Sequence, residues 1–423
     1  MTELQKDKNN KKDTSKTEKI AILSVLKPVD DVRAYQKIAK SIVNDSDNSK
    51  KITLIGFEAS SNFDKENNNP NIEFIELFTS KKNKNRLGFW RFFAGFKVFN
   101  QLLKIKPTKI IVCAVELLPF ALFFKFLFNS KSNPIKVIYD VQENYSFNVL
   151  YQDNYPTFLK KLLAFLIQHF EKFSSSFVDI YLLAEKCYLE EMPYLKKTNY
   201  IFLENKFLID SLITKDFHNS NFGNSNYLET KEIQFLLYGS FSKTYGILEG
   251  ILLFKKLEKE VQKNGFSATL VLAGYCLDKE YSTKILESIK NETSISIADE
   301  CFSNSISKSF SHLISHPFLL HQLQKTDFVI LPYLSNKSTQ NCIPTKFYEC
   351  LAYKKPMLIS RNGDWGIEIG EWERENGDKG MGNEELGNEI LSIVEKILYQ
   401  KFYTQPLDES VWKFDREILK RII

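Results

Sequence analysis

The six cysteines of this 423-residue chain (113, 187, 276, 301, 342 and 350) are scattered, and no two of them form a C-x-x-C pair. That argues against a zinc ribbon or a disulfide framework and reads as reduced thiols of a cytosolic protein. An excess of one charge is also lacking: 57 basic residues against 52 acidic ones leave a net charge of +5, and no dense basic block marks a nucleic-acid groove. The opening stretch MTELQKDKNNKKDTSKTEK has no apolar core, so residues 1–18 are expected to be a disordered tail rather than a signal peptide. Only one apolar run needs testing as a membrane span. Residues 110–128 have the length, but hold Glu116, Pro119 and Lys125, and each charge costs about 3 kcal/mol at mid-bilayer. A buried strand, a loop at Glu116 and then a helix fit the pattern at less cost.

What is present is an alternation. Short apolar runs at 20–26, 51–57, 72–77, 109–115, 136–140, 179–184 and 200–203 are interleaved with longer helical patterns, the pattern of a parallel, doubly wound sheet. Residues 207–231 are Asn/Ser-rich and break this rhythm. A second set follows, with strands at 234–238, 268–273, 328–332 and 357–360, a short one near Leu313, and helices at 246–263, 279–290 and from Lys346. The chain is too long for one hydrophobic core. The expected division is a tail (1–18), a first Rossmann-like domain (19–206), a linker (207–231), a second Rossmann-like domain (232–385) and C-terminal helices (386–423) packing back on the first domain.

The chemistry concentrates in IPTKFYECLAYKKPMLIS, residues 343–360. Lys346 and Glu349 are three residues apart, on one face of a helix that starts after Pro344. A helix N-terminus with a lysine suits phosphate, and a carboxylate suits sugar hydroxyls. The plain alternative is a surface salt bridge. LLYGSFSKTYGI (236–247) places Gly239 and Ser240 at a strand end, with Lys243 in the loop before a helix. Such a loop can present backbone N–H groups to a diphosphate, or can be an ordinary glycine turn. VIYDVQEN (137–144) puts Asp140 and Glu143 at another strand end, where open α/β sheets bind ligands, or where carboxylates merely cap the next helix. Arg33 stands at a helix start after the loop KPVDD and reads as a solvated arginine or a ligand contact. His312, His316 and His321 do not share one helix face, and Pro317 interrupts them, so no metal site is expected.

The segment 343–360 resembles the P-x-K-x-x-E-x-x-A-x-x-K-P-v stretch of nucleotide-sugar glycosyltransferases of the GT-B fold, family 4 in particular. The resemblance implies two Rossmann-like domains facing across a cleft and transfer of a sugar, with retention, from a nucleotide diphosphate-sugar to an acceptor hydroxyl. It implies donor phosphate on Lys346, Lys243, Gly239 and Ser240, and ribose on Glu349. Asn341 and His316 fall beside the donor, His316 near the nucleobase, and Arg33, Asp140 and Glu143 on the acceptor side; the catalytic residues implied are Lys346 and Lys243 at the leaving diphosphate and the carboxylates Asp140 and Glu143 for any acid–base duty. No cofactor and no metal are implied. The chain departs from the pattern at Ser240 (commonly arginine), Tyr245 (lysine), Asn341 (glutamate), Lys354 (glycine) and Gln142 (histidine). Those departures keep two other classes open: a nucleotide-sugar 2-epimerase on the same fold, and a non-catalytic binding partner. The implied acceptor is a glycan or lipid-linked sugar in surface polysaccharide or glycolipid assembly. The basic, aromatic stretch 86–106 suggests peripheral contact with the inner face of a membrane, or sheet-facing core with lysines reaching out to water.

Overall fold

The computed structural model describes residues 17–43, 49–59, 69–79, 91–151, 156–208, 227–276, 278–298, 310, 314–334, 337, 341–359 and single positions at 394, 412 and 419. The chain forms two compact units, the first built mainly from residues before 205 and the second from those after.

The first unit is built on a seven-stranded parallel sheet: β1 (Glu18–Pro28), β2 (Lys50–Phe57), β3 (Ile72–Phe78), β4 (Lys109–Val112), β5 (Lys136–Val141), β6 (Ile180–Leu183) and β7 (Tyr200–Phe202). The spatial order is β3-β2-β1-β4-β5-β6-β7. Strands at the centre are apolar on both faces: Ile20–Leu23, Ile110–Val112 and Val137–Tyr139 are all buried. That continuous burial is what a parallel sheet covered by helices on both sides demands. The candidate span 110–128 divides as its charges require. Strand β4 ends at Val112, a single 3-10 turn (Val115–Leu117) carries Glu116, and α1 (Arg91–Ile105) is followed by α2 (Leu118–Phe128) with Pro119 in its first turn. A third long helix, α3 (Thr157–Ser174), joins β5 to β6 after the short helix Tyr145–Tyr151. Among the described residues no helix is long and apolar enough to cross a membrane.

The second unit has a five-stranded parallel sheet, β8 (Glu232–Ser240), β9 (Ser267–Tyr275), β10 (Ile295–Ile297), β11 (Phe328–Leu331) and β12 (Met357–Ile359), in the order β10-β9-β8-β11-β12. Helices α4 (Ile247–Lys263), α5 (Lys279–Ile289), α6 (His316–Lys325) and α7 (Thr345–Ala352) accompany it. Its core is aromatic at the centre: Phe235 stacks on Phe328 at 5.5 Å and meets Phe254 edge-on at 5.7 Å.

Several details differ from the sequence reading. Strand β1 runs through Lys27 and Pro28, two residues into the expected loop, after a register shift against β2 beyond Leu23. The helix following β8 starts at Ile247, one residue later than expected, because Gly246 adopts a left-handed conformation (φ 64°) after a 3-10 turn at Lys243–Tyr245. Strand β10 has only three residues and gave no readable apolar run. Of the linker 207–231, Phe207 is buried and Tyr227–Thr230 form a helical turn. The short strand near Leu313 and the tail fall outside the described residues, as do the C-terminal helices apart from single positions.

Candidate functional site

In the second unit the chain runs outward from β8 to β10, then returns to the other side of β8 with β11 and β12. Open α/β sheets bind ligands beyond the strand ends where the order reverses, here at β8 and β11. The loops at that point are held close. A Cβ on Gly246 would stand 1.8 Å from the Pro332 carbonyl oxygen, and Leu334 N donates to Thr244 O at 3.0 Å. Gly239, at φ 91°, ends the strand in a conformation that side chains rarely adopt.

Lys346 is the second residue of α7, whose first turn follows Pro344 without a side-chain cap. Its ammonium lies over three tyrosine rings, 5.4 Å from the centre of Tyr238, 5.5 Å from Tyr245 and 5.8 Å from Tyr333. These rings come from the end of β8, the loop after it and the loop after β11. The group is also packed on Gly239: a Cβ there would be 2.5 Å from Lys346 Cε and 2.9 Å from Nζ. The residue as a whole is half-buried, with its ammonium packed among these rings and against Gly239. Burial lowers its pKa to about 8, against the partial support of the Glu349 charge. Among the described residues Lys346 makes no ion pair, and the surface salt bridge that the spacing to Glu349 allows is not formed.

Glu349 turns elsewhere. Tyr238 Oη donates to its Oε2 at 2.8 Å, and His316 Nε2 lies 2.9 Å from its Oε1. Burial pushes the carboxyl pKa up. Hydrogen bonds and charge from His316, the Tyr238 hydroxyl and the Lys346 charge outweigh that and hold it below its ordinary value. Each carboxylate oxygen keeps a further lone pair for an outside donor. His316 opens α6 with its side chain half-exposed, and His321 is exposed further along the same helix. His312 lies outside the described residues, and no cluster of metal-binding side chains occurs among the described ones.

The remaining donor-side residues are less tightly placed. Lys243 is exposed, with its ammonium 3.8 Å from Asp278. Ser240 and Asn341 are half-buried in the β8 end and the turn before α7. The structure therefore brings Lys346, Gly239, Glu349 and His316 together through Tyr238. Sequence reading had missed Tyr238, Tyr245 and Tyr333 as members of the site. Tyr238 and Tyr245, each directly before a glycine, were the available signal; Tyr333 offered none.

In the first unit the expectations for Arg33 need correction. Arg33 is buried, not solvated, in the first turn of the π-helical segment Val32–Ala39, where Asp31 caps the backbone N–H groups of Arg33 and Ala34. Its guanidinium meets the fully buried Asp140, with Nη2 2.6 Å from Oδ1 and Nε 3.0 Å from Oδ2. Burial disfavours the guanidinium charge, but Asp140 more than compensates and keeps the pKa above its ordinary value. Gln142, standing where histidine is common in the resembling enzymes, donates to Asp140 Oδ2 at 2.6 Å and accepts from Lys27. Asp140 is thus committed to the protein's own cations and amides, whereas Glu143 is exposed beside it.

No protein-family model matches the chain, and no curated protein matches it in sequence. Solved structures do match in fold. The chain is similar to a sucrose-phosphate synthase from Thermosynechococcus elongatus (12% identity, TM-score 0.56), covering 96% of this chain and 94% of that one. It is similar to a UDP-forming α,α-trehalose-phosphate synthase from Burkholderia xenovorans, in complex with glucose-6-phosphate (8% identity, TM-score 0.57, 96% of each chain). A UDP-GlcNAc 2-epimerase from Neisseria meningitidis, bound to UDP-GlcNAc, also matches (11% identity, TM-score 0.50, 96% of this chain and 99% of that one). The chain has the GT-B fold. At such identities these likenesses establish the two Rossmann-like domains of GT-B and nothing finer.

Proposed function

We propose that the chain is a glycosyltransferase of the family 4 type, moving a sugar from a UDP-sugar to an acceptor hydroxyl. One observation carries this: the enclosed Lys346 ammonium, packed on Gly239 at the sheet's reversal point and surrounded by ring faces rather than carboxylates. A buried cation that makes no direct ion pair among the described residues, and has only partial support from the Glu349 charge, is costly, and a diphosphate arriving there supplies a partner. The uridine nucleotide is taken from the names of the trehalose-phosphate synthase and the epimerase.

In this reading Lys346 neutralises the departing diphosphate, aided by Lys243 and by the backbone N–H groups opening α4 and α7. Glu349, held ionised by His316 and Tyr238, accepts hydroxyls of the ribose. Ser240 and Asn341 add neutral hydrogen bonds around the donor. Positive charge from side chains and helix ends does the work often given to a divalent ion, so transfer proceeds in the presence of a chelator; retention at the anomeric carbon is taken from the family 4 resemblance. Glu143 is the acceptor-side carboxylate, while Asp140 and Arg33 position the strand end that carries it. The acceptor is a glycan or lipid-linked sugar, and residues 86–106 contribute peripheral contact with the inner face of a membrane.

Incubation with UDP-sugars, with and without candidate acceptors, tests this through UDP release and product analysis. Acceptor-dependent release is expected. Turnover to an epimer without acceptor would instead establish the isomerase, and absence of both binding and turnover would establish a non-catalytic partner.

A further inference from the structure

Helix α3 is apolar on two faces. Its fully buried residues are Ala164, Glu171 and Ser174, with Leu163, Ile167 and Phe170 half-buried beside them. A second set of large apolar side chains is open to solvent: Phe158 is 81% exposed, Phe173 70%, and Leu162, Phe165 and Leu166 are exposed between them. Soluble helices normally turn such residues toward the core.

Two neighbouring helices continue the surface. Connections that step from β3 to β4, β5 and β6 all travel the same way along the sheet. Right-handed crossovers therefore place α1, α2 and α3 in one layer on one face. The contacts agree. Phe96 of α1 meets Phe120 of α2 at 5.0 Å, Gly95 leaving room for the ring, and Lys125 of α2 bonds Phe177 O and Asp179 just past α3. On this layer Phe93 and Phe96 of α1 are exposed, and Phe126 of α2 is 81% exposed. Apolar exposure spread over three adjacent helices marks an interaction surface.

Charge selects the partner. The three helices carry seven basic residues (Arg91, Lys97, Lys104, Lys125, Lys160, Lys161 and Lys172) and one acid. That acid, Glu171, is turned inward and accepts a 2.8 Å hydrogen bond from Tyr139. A second copy of the chain docking face to face would bring like charges together. Anionic lipid headgroups meet the lysines while the phenylalanines enter the acyl boundary, lysine stems lying along the apolar surface.

We propose that the α1–α2–α3 layer is a membrane-docking surface for anionic bilayers, with the exposed face of α3 as its principal apolar anchor. It enlarges the contact assigned above to residues 86–106 and does not depend on the sugar-transfer reading, since binding is measured without substrate.

Flotation of the full chain with phosphatidylcholine vesicles, with and without phosphatidylglycerol, tests it. The chain should float with the mixed vesicles and far less with phosphatidylcholine alone. Reversing Lys161 and Lys172 to glutamate should weaken partitioning about tenfold or more. The triple change Phe126→Ser, Phe158→Ser and Phe173→Ser should abolish flotation while leaving UDP binding unchanged. Should that variant misfold, the charge-reversal protein carries the test alone. Absence of flotation with mixed vesicles would overturn the proposal. So would concentration-dependent dimerisation abolished by the same changes, which would assign the face to a second copy.

Discussion

The Lys346 side chain occupies the space that a β-carbon on Gly239 would claim, at 2.5 Å for Cε and 2.9 Å for Nζ. Gly239→Ala must therefore either displace the lysine or move the strand end. At φ 91° the substitution also carries backbone strain of about 1 kcal/mol or more. The expected result is a small fall in melting temperature with roughly a tenfold or greater loss of UDP affinity. Unchanged affinity in a folded Gly239→Ala protein would separate Lys346 from the nucleotide.

Glu349→Gln keeps the shape of the side chain but removes its charge, and its amide nitrogen donates where the carboxylate accepted. The existing bonds from Tyr238 and His316 then compete with the ribose for one remaining acceptor oxygen. UDP binding should weaken by about 1–3 kcal/mol, whereas inorganic pyrophosphate, which has no ribose, should bind both proteins alike. Equal losses for both ligands would place Glu349 at the phosphates instead.

Asp140 and Arg33 make the opposite kind of pair, a buried ion pair formed directly between the two side chains. Asp140→Ala removes the fully buried carboxylate that faces the Arg33 guanidinium and should cost about 3–5 kcal/mol of stability, seen as a lowered thermal midpoint. Replacing both, with Arg33→Met and Asp140→Leu, should recover much of that loss. If Asp140 acted as an acid or base in the reaction, the double variant would lose turnover despite its recovered stability.

The depressed pKa of Lys346 gives a pH signature. An unfolded lysine titrates near 10.5 and the folded one at about 8, so folding disfavours its proton. Lys346 costs the fold nothing above the higher value, and the cost is fully present below the lower one. Diphosphate binding favours the protonated form. Affinity for UDP should therefore be level below about pH 8 and decline by up to about tenfold per unit above it. Titrations on either side of that value check this, and an affinity that stays level well above pH 8 would contradict it.

How much of this was legible in the sequence depended on range. The alternation of apolar runs and helical patterns reported both sheets, because parallel strands buried on two faces are continuous apolar segments. The three residues of β10 were too few to register. At the site, Lys346 and Glu349 were visible because α7 sets their spacing. Their environment was not, since Tyr238, Tyr245 and Tyr333 lie on three separate segments that only the sheet order brings together. Tyr245 had been noted merely as a departure from lysine. In the first unit Arg33 and Asp140 are 107 positions apart, and each taken alone looks like a ligand contact or a cap. Gln142 likewise reads as a lost histidine until its bonds to Asp140 and Lys27 are seen.

Calorimetric titration of UDP into the native chain and into Lys346→Met is the most direct test. Methionine fills similar volume without charge and removes a buried cation, so the variant should melt at the same temperature or higher. The expected result is saturable one-to-one binding by the native chain, lost in the variant. Equal binding heats and affinities in both proteins would contradict a diphosphate site at Lys346.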